Sequence, residues 1–130
     1  CYDMDFPRYI RQAGMMKSDL LVAPSNDWPE IKNTHSKMAR LRAIENGISL
    51  LRPTSSGLST AVDPYGNIVG CVDDFKSSGA PLVAVLPMGS VQTLYALLGD
   101  SWTWICAFAG LVLIGLGIVR RWRERYATPT

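Results

Sequence analysis

Apolar residues in the first part of the chain recur at helical spacing. Phe6, Tyr9, Ile10 and Ala13 lie three or four residues apart, which places them on one face of a helix. The polar residues between them would face water. The pattern therefore predicts a short surface helix, and Gly14 stands where a helix commonly ends.

The next apolar residues are consecutive rather than periodic. Residues 20–23 have the sequence Leu-Leu-Val-Ala and are followed by Pro24. A run of this length is too short for a helix, and it is typical of a strand that is buried on both faces. We therefore predict a buried strand that ends at Pro24.

Helical spacing returns over residues 33–46, where we predict a second helix. Met38, Leu41 and Ile44 form an apolar stripe, which is expected to face the core. Gly47 follows the last helical position and is expected to end the helix.

The region after Gly47 alternates between extended segments and turns. Its clearest turn is Asp63-Pro64-Tyr65-Gly66, which has proline and glycine at the positions that a type I turn prefers, so we predict a hairpin around it. Residues 54–57, Thr-Ser-Ser-Gly, are predicted to form a corner between strands. The extended segments are predicted at residues 48–53, 58–62, 67–72 and 82–86.

Residues 102–119 contain no charged side chain. As a helix they would be about 27 Å long, close to the roughly 30 Å hydrocarbon core of a bilayer. Trp102 and Trp104 stand at one end, where aromatic residues mark a membrane interface, and four arginines follow the other end. We therefore predict a connecting loop over 87–101, a transmembrane helix over 102–119 and a basic cytoplasmic tail over 120–130.

Composition and charge agree with this organisation. Hydrophobic residues make up 48% of the chain and charged residues 18%, and the apolar excess is concentrated in the predicted transmembrane helix. The net charge is +2, and most of it comes from the tail, where Glu124 alone balances the arginines. The rest of the chain therefore offers no basic surface for nucleic acid.

The three cysteines, Cys1, Cys71 and Cys106, are widely separated and lack the spacing of zinc ligands. We therefore predict no metal site and no cofactor. Cys106 lies in the predicted transmembrane helix. A disulfide between Cys1 and Cys71 is conceivable outside the cytoplasm, but we do not favour it, because a disulfide framework normally uses more than one bridge.

Cys1 is unusual as a first residue. It could carry a lipid, act as an N-terminal nucleophile, or be an internal residue of a longer chain. We favour the third interpretation, because the following residues continue a domain that lacks a first half. Cys1 also lies about one turn before the first predicted helix, and N–H groups at a helix N-terminus lower the pKa of a thiol and can hold a developing oxyanion.

Two further features are candidates for function. Ser25-Asn26-Asp27-Trp28 directly follows the predicted buried strand, and polar residues at such a position often bind ligands, although a plain turn is an equal alternative. His35 is the single histidine. It has no cysteine or carboxylate near it in the sequence, so we favour a structural role for it over a catalytic one.

A set of short motifs extends over residues 1–86. The motifs are Cys1-Tyr2-Asp3, Phe6-Pro7, Arg11, Ser25-Asn26-Asp27-Trp28, His35, Met38-Ala39, Arg42-Ala43-Ile44-Glu45-Asn46, Gly57-Leu58-Ser59 and Asp63-Pro64-Tyr65-Gly66. In this order they resemble the second half of a carbon–nitrogen hydrolase domain of the nitrilase superfamily. Residues 93–100 further resemble the segment before the last transmembrane helix in one membrane-embedded branch, the apolipoprotein N-acyltransferases.

The resemblance implies an α+β fold, in which residues 1–86 form the C-terminal half of a four-layer αββα sandwich and one transmembrane helix follows. It also implies a Glu-Lys-Cys triad in which Cys1 is the nucleophile that forms a thioester. The glutamate and lysine of the triad precede the cysteine in the family, and Glu45 belongs to a different motif. The chain alone is therefore expected to be inactive.

The resemblance also implies the surroundings of the nucleophile. The backbone N–H of Tyr2 would help to hold the oxyanion. The other residues that the resemblance places beside the substrate are Asp3, Ser25, Asn26 and Trp28.

The acyltransferase branch implies transfer of a fatty acyl group from a phospholipid to the N-terminal amine of a lipoprotein. The catalytic domain would lie on the periplasmic side of the bacterial inner membrane, in contact with membrane lipid. Two departures keep alternatives open, because Asp3 replaces a glutamate and Pro29-Glu30 replaces Phe-Gly. The alternatives are a membrane-anchored amidase or nitrilase-like hydrolase acting on a small amide, and a membrane-tethered module without catalysis.

Overall fold

The computed structural model describes residues 2–77 and 79–126. The chain divides into two compact units, Cys1–Gly99 and Asp100–Thr130. The first unit is a mixed α+β structure, and the second is a long apolar helix. Both features agree with the fold class expected from the sequence.

The first unit opens with a 3₁₀ turn at Tyr2–Asp5. The elements that follow are α1 (Pro7–Met15), β1 (Leu20–Val22), β2 (Ser25–Asn26), α2 (Lys32–Asn46), β3 (Ser49–Arg52), β4 (Thr54–Ser55), β5 (Leu58–Val62), β6 (Ile68–Asp73) and α3 (Leu94–Leu98). A four-stranded sheet has the order β1-β3-β5-β6, with β1 and β3 parallel and the other pairs antiparallel. A two-stranded parallel sheet joins β2 and β4.

The core lies where α1 and α2 meet the four-stranded sheet. The first turn and α1 contribute Met4 and Ile10, and the sheet contributes Leu50 and Val62, which face each other across β3 and β5. The complete buried cluster is Met4, Ile10, Ala39, Ala43, Leu50 and Val62. The 3₁₀ turn, α1 and the sheet supply the large side chains, and α2 supplies small ones.

The predicted core face of α2 is wrong. Leu41 and Ile44 are 42% and 39% exposed, whereas the buried residues of the helix include Ala39 and Ala43. Both sets of residues have helical spacing, so spacing alone does not select between them. Close packing selects the face with Ala39 and Ala43, because small side chains let the helix backbone approach the sheet.

Gly14 does not end α1, since the helix continues to Met15. A Cβ atom at Gly14 would lie 2.8 Å from Oδ1 of Asn46 on α2. Glycine is therefore required here for the close approach of α1 to α2. Gly47, in contrast, ends α2 as predicted, in a left-handed conformation with φ of 63°.

Strand β1 is present, but it is not buried on both faces. It is the edge strand of the four-stranded sheet, and Val22 is 51% exposed. Leu21 packs against the core. Successive side chains of a strand point to opposite faces, and the helices of the described part of the chain cover one face of this edge.

The predicted strand at residues 82–86 is not formed within the part of the chain that the structure describes. Val83 and Val85 are 86% and 88% exposed. A Cβ atom at Gly70 of β6 would lie 2.9 Å from Leu82, so the segment crosses one face of the sheet instead of joining its edge. A strand requires a hydrogen-bonded neighbour, and strong strand propensity does not supply one.

The predicted hairpin is confirmed by the antiparallel pairing of β5 with β6. The Gly66 N–H donates to the carbonyl of Asp63 at 3.0 Å, which closes the turn. The Asp63 carboxylate accepts from the side chain and backbone of Asn67 and from the backbone of Tyr65. These bonds, first of all the one from the Asn67 side chain, lower the pKa of Asp63 from its ordinary value.

The second unit contains α4 (Ser101–Tyr126). Its segment Ser101–Glu124 is 24 residues long and apolar enough to cross a membrane. At 1.5 Å per residue it would measure about 36 Å, which exceeds the hydrocarbon core of a bilayer. Near its end, Arg120 and Glu124 form an exposed ion pair at 2.9 Å.

Substitution of Gly47 by Ala is expected to destabilise the first unit by more than the ~1–2 kcal/mol that a left-handed residue costs. The added Cβ would also collide with the carbonyl oxygen of Val91. Gly79→Ala is the matched control, because its φ is +73° but no heavy atom lies within 4 Å of the new Cβ. Thermal unfolding of both variants measures the difference, and equal losses would contradict the described packing.

Lys32 at the start of α2 is joined to Asp73 at the end of β6, with Nζ 2.6 Å from Oδ2. Its ammonium also lies 4.9 Å from the centroid of the Phe75 ring. The Lys32 hydrogen bond is the main cause of a lowered pKa of Asp73, whose ordinary value is 3.8. A lowered pKa of a carboxyl group stabilises the folded state above the ordinary value, and this stabilisation is lost as the pH falls through the lowered value.

Lys32→Met is therefore expected to reduce the free energy of unfolding at about pH 7, with the difference from wild type becoming smaller at pH values well below about 3.8, where only the contact with the Phe75 ring is lost. Denaturant unfolding at a series of pH values tests this. Lys37→Met removes an exposed lysine from the same helix and should give no such pH dependence. A Lys32→Met effect that stays constant at all pH values would be inconsistent with the ion pair.

Candidate functional site

The 3₁₀ turn at the start of the described chain is attached to the core through one residue. Cys1, the predicted nucleophile, lies outside the residues that the structure describes. Tyr2 and Asp3 belong to the 3₁₀ turn and are exposed, whereas Met4 of the same turn is buried. Met4 therefore anchors the turn, and its neighbours point toward solvent just before α1.

The polar residues after β1 form a short strand, and Asp27, which follows that strand, lies in the interior. Ser25 pairs with Thr54 and Asn26 with Ser55 in the parallel β2–β4 sheet. The Ser25 hydroxyl donates to the carbonyl of Ala23 at 3.1 Å, and Asn26 is exposed. The next backbone N–H, that of Asp27, donates to Ser55 at 3.1 Å, which extends the pairing by one residue.

Asp27 and Arg52 form a buried ion pair. Both Asp27 oxygens accept from Nη2 of Arg52, at 3.0 and 2.9 Å. The side chains are 0% and 1% exposed. The second terminal nitrogen of the guanidinium, Nη1, donates to the hydroxyl of Thr54 and to the carbonyl of Leu58. The pair therefore joins the end of β3 to the segment after β2.

His35 extends this pair toward the surface. Its Nδ1 lies 2.8 Å from Oδ1 of Asp27. A carboxylate can only accept, so Nδ1 carries the proton, and in the neutral ring Nε2 is then the acceptor nitrogen. We call Arg52, Asp27 and His35 the Arg52–Asp27–His35 chain.

The His35 ring contacts two of the predicted site residues. The Tyr2 and Trp28 rings each lie 6.4 Å from it, at interplanar angles of 68° and 71°. Edge contacts of this kind are favourable for aromatic rings. The Arg52–Asp27–His35 chain therefore connects two buried charges to the rings of Tyr2 and Trp28, which lie at the surface.

Gly57 makes room for this arrangement. A Cβ atom at Gly57 would lie 2.6 Å from Cγ2 of Thr54 and 2.9 Å from Oδ2 of Asp27. The corner at residues 54–57 that the sequence predicts is formed by β4 and the turn after it. A larger residue there would displace Asp27 from Arg52.

His35 and the segment that contains Asp27 are candidates from the sequence, whereas Arg52 was not predicted. A signal was available, because Arg52 is a lone charge at the end of an apolar strand, and a buried charge requires a partner. The carboxylate partner of His35 was also missed. Asp27 is eight positions away in the sequence, on a different element.

The remaining ionisable groups do not form a metal site in the described ranges, where no group of three or more His, Cys, Asp or Glu side chains could hold an ion. Cys71 and Cys106 are free and exposed, so Cys71 is not in a disulfide. Glu45 lies 2.6 Å from Arg42 on its own helix.

Helices packed on one face of a mixed sheet, with a polar cluster at the ends of parallel strands, fit a nitrilase-type enzyme half-domain. Residues 1–95 match the family model described as carbon–nitrogen hydrolase. The chain therefore belongs to the carbon–nitrogen hydrolase family, and the resemblance noted in its motifs is confirmed.

Solved structures of the superfamily share this fold. An amidase from Nesterenkonia sp. superposes with a TM-score of 0.60 at 27% identity, over 78% of this chain and 41% of the amidase. Nit3 of Saccharomyces cerevisiae, a member of branch 10 of the nitrilase superfamily, gives 0.56 at 26% identity, over 65% of this chain and 34% of Nit3.

Curated relatives are apolipoprotein N-acyltransferases. The Shewanella oneidensis protein is 33% identical over 129 residues, which is 96% of this chain and 24% of the relative. The Borreliella burgdorferi protein is 33% identical over 116 residues, or 86% of this chain and 22% of the relative. The chain thus spans about a quarter of the length of these relatives.

Arg52→Ala is expected to lower the free energy of unfolding by about 3–5 kcal/mol, because it leaves the Asp27 carboxylate buried without its cation. The combined Arg52→Met, Asp27→Leu variant should lose less, since neither charge is then left unpaired. Arg120→Ala, which breaks a pair whose side chains are 83% and 64% exposed, should change stability little. Denaturant unfolding measures all three, and similar losses from Arg52→Ala and Arg120→Ala would refute the assigned burial.

Proposed function

We propose that these residues belong to a membrane-bound acyltransferase that moves a fatty acyl group from a phospholipid to the N-terminal amine of a lipoprotein. The observation that carries this proposal is the extent of the match to the acyltransferases. It covers 96% of the chain, whereas the family model ends at residue 95. The similarity therefore continues into the apolar helix α4.

The proposed chemistry uses Cys1 as the nucleophile. Its thiolate attacks the ester carbonyl of the phospholipid, and the carbon–oxygen bond breaks as the lysophospholipid leaves with a proton. The resulting thioester is attacked by the lipoprotein amine, which loses a proton as the amide forms and the thiolate departs. Covalent chemistry at a cysteine has a precedent in the fold, since a variant of the Nesterenkonia amidase shows covalent addition of the acetamide moiety of fluoroacetamide at the active-site cysteine.

One proposed catalytic partner of Cys1 belongs to this chain, and two belong to the part of the protein that this chain does not span. The backbone N–H of Tyr2 would stabilise the oxyanion, because it lies next to the nucleophile and at the start of the turn that precedes α1. We assign the acid–base glutamate and lysine of the triad to the portion of the relatives' length that this chain does not span.

The other site residues would surround the substrate. Trp28 is half exposed, and its ring is fixed by His35. Asp3 borders a cavity of about 250 Å³ that is otherwise lined by Met4, Tyr9, Ile10, Leu21, Val22, Ala23 and Pro24. A largely apolar cavity beside the 3₁₀ turn that follows Cys1 suits an acyl chain better than a small polar amide. Ser25 and Asn26 would border the site from β2.

A hydrolase that uses water instead of an amine is the second candidate. It is favoured by the superposition on the Nesterenkonia amidase. In both candidates, the arginines that follow the membrane span would lie in the cytoplasm, and residues 1–100 on the opposite side. The two functions differ in the acceptor of the acyl group.

Membranes containing the full-length protein, incubated with acyl-labelled phospholipid and a diacylated lipoprotein peptide, should yield peptide labelled at its N-terminal amine. Cys1→Ala should lower this labelling by several orders of magnitude, as expected for loss of a nucleophile. Cys71→Ser is the matched control and should keep the activity, because Cys71 is an exposed thiol on β6.

Release of labelled fatty acid without labelling of the peptide would favour the hydrolase. Full peptide labelling by Cys1→Ala would exclude a thioester at this residue.

A further inference from the structure

The short helix α3 is docked on the first unit through one side. Ala96 is buried, and its N–H donates to the hydroxyl oxygen of Thr93 at 3.0 Å, which caps the helix start. The Thr93 hydroxyl in turn donates to the carbonyl of Glu45 on α2. These contacts fix the beginning of α3 against α2.

Arg11 of α1 fixes the other end of α3. Its Nε donates to the carbonyls of Tyr95 and Ala96 at 3.3 and 3.0 Å, and its Nη2 donates to Leu97 at 2.8 Å. Carbonyl groups in the last turn of a helix lack helical partners, and a cation there is stabilising. A Cβ at Gly99 would lie 2.8 Å from Cζ of Arg11, so glycine leaves the space that the guanidinium occupies.

The opposite side of α3 is apolar and exposed. Leu94, Leu97 and Leu98 are 76%, 56% and 57% exposed, and their spacing places them on one face of the helix. Met15 and Met16 at the end of α1 are also exposed, and Met15 and Leu97 border the same cavity of about 250 Å³. We call Met15, Met16, Leu94, Leu97 and Leu98 the α3 surface.

The connection to α4 indicates what covers this surface. Leu98 and Ser101 are separated by two residues, so the end of α3 lies within about 11 Å of the start of the long apolar helix. Trp102 and Trp104 stand at that start, and tryptophans near the end of a membrane span mark the headgroup region. If α4 crosses a membrane, only two residues connect α3 to the end of the span that the tryptophans mark as the headgroup end.

We infer that the α3 surface lies in the interfacial region of a phospholipid bilayer, with its leucines and methionines against the upper acyl chains. Lys17 borders the cavity that Met15 and Leu97 share, where its ammonium can pair with lipid phosphates. An apolar face with a basic rim is the usual form of an interfacial membrane contact. The inference goes beyond acyl transfer and depends on α4 crossing the membrane.

Spin labels on the full-length protein in phospholipid vesicles test this inference. Single cysteines replace Leu94, Leu97 or Leu98, in a background with Cys1→Ser, Cys71→Ser and Cys106→Ala and with any other cysteine of the full-length protein replaced by Ser. Val85→Cys is the matched control, because Val85 is also apolar and is 88% exposed. Collision with oxygen reports contact with lipid, and collision with a water-soluble nickel complex reports contact with water.

At the three leucine positions, the ratio of oxygen to nickel accessibility is expected to exceed that at residue 85 several-fold. Equal nickel accessibility at all four positions would show that the surface faces water and would overturn the inference. Exclusion of both reagents from the leucine positions would show a protein partner instead and would equally overturn it. The result is independent of acyl transfer, so it does not change if the proposed enzyme activity fails.

A second variant tests the anchoring of α3. Arg11→Met removes the bonds to the last turn of the helix, so the label at position 97 should become more mobile and lose oxygen preference, while the label at 85 is unaffected. Unchanged signals at both positions would contradict the role assigned to Arg11 in holding the surface at the bilayer.

Discussion

The buried ion pair between Arg52 and Asp27 is the interaction on which the candidate site depends. Neither charge could remain inside the unit alone, because an unpaired buried charge costs several kcal/mol. Each side chain therefore fixes the other, and with it the end of β3 and the segment after β2. His35 binds the same carboxylate, so the position of its largely buried ring follows from two charges that solvent does not reach.

The sheet register makes this pair possible. Leu21 lies beside Leu50 in the parallel β1–β3 pair, and Ser25 lies beside Thr54 in the β2–β4 pair. Two segments that are distant in the sequence thus run together past their strand ends, where Asp27 meets Arg52, which is 25 positions away. Polar groups at the ends of parallel strands are a common origin of binding sites. The rings of Tyr2 and Trp28 both contact the ring of His35, which this pair holds.

The elements that could be predicted from the sequence are those decided by local chemistry. Gly47 ends α2 and the turn from Asp63 to Gly66 closes its hairpin because both depend on neighbouring residues alone. Helical spacing located α1 and α2, and a long uncharged run located α4. The motif resemblance identified the family, which no single spacing could have done.

What sequence reasoning missed depends on contacts between distant segments. The core face of α2 is set by how closely Ala39 can approach the sheet, and Gly14 is explained by Asn46 on another helix. The extended segment at residues 82–86 has strand propensity but no strand neighbour in the ranges described. The partners of His35 and Arg52 required the register of two sheets.

We propose that the Arg52–Asp27–His35 chain holds the Tyr2 ring through His35, and with it the proposed nucleophile Cys1, which precedes Tyr2 in the sequence. The most direct test of this proposal is the rate of alkylation of Cys1 in the full-length Asp27→Asn variant, measured against Cys71 in the same molecule. Asparagine preserves the shape of Asp27 but removes its charge, so the account predicts slower alkylation of Cys1 with Cys71 unchanged. An unaltered ratio of the two rates would contradict the account.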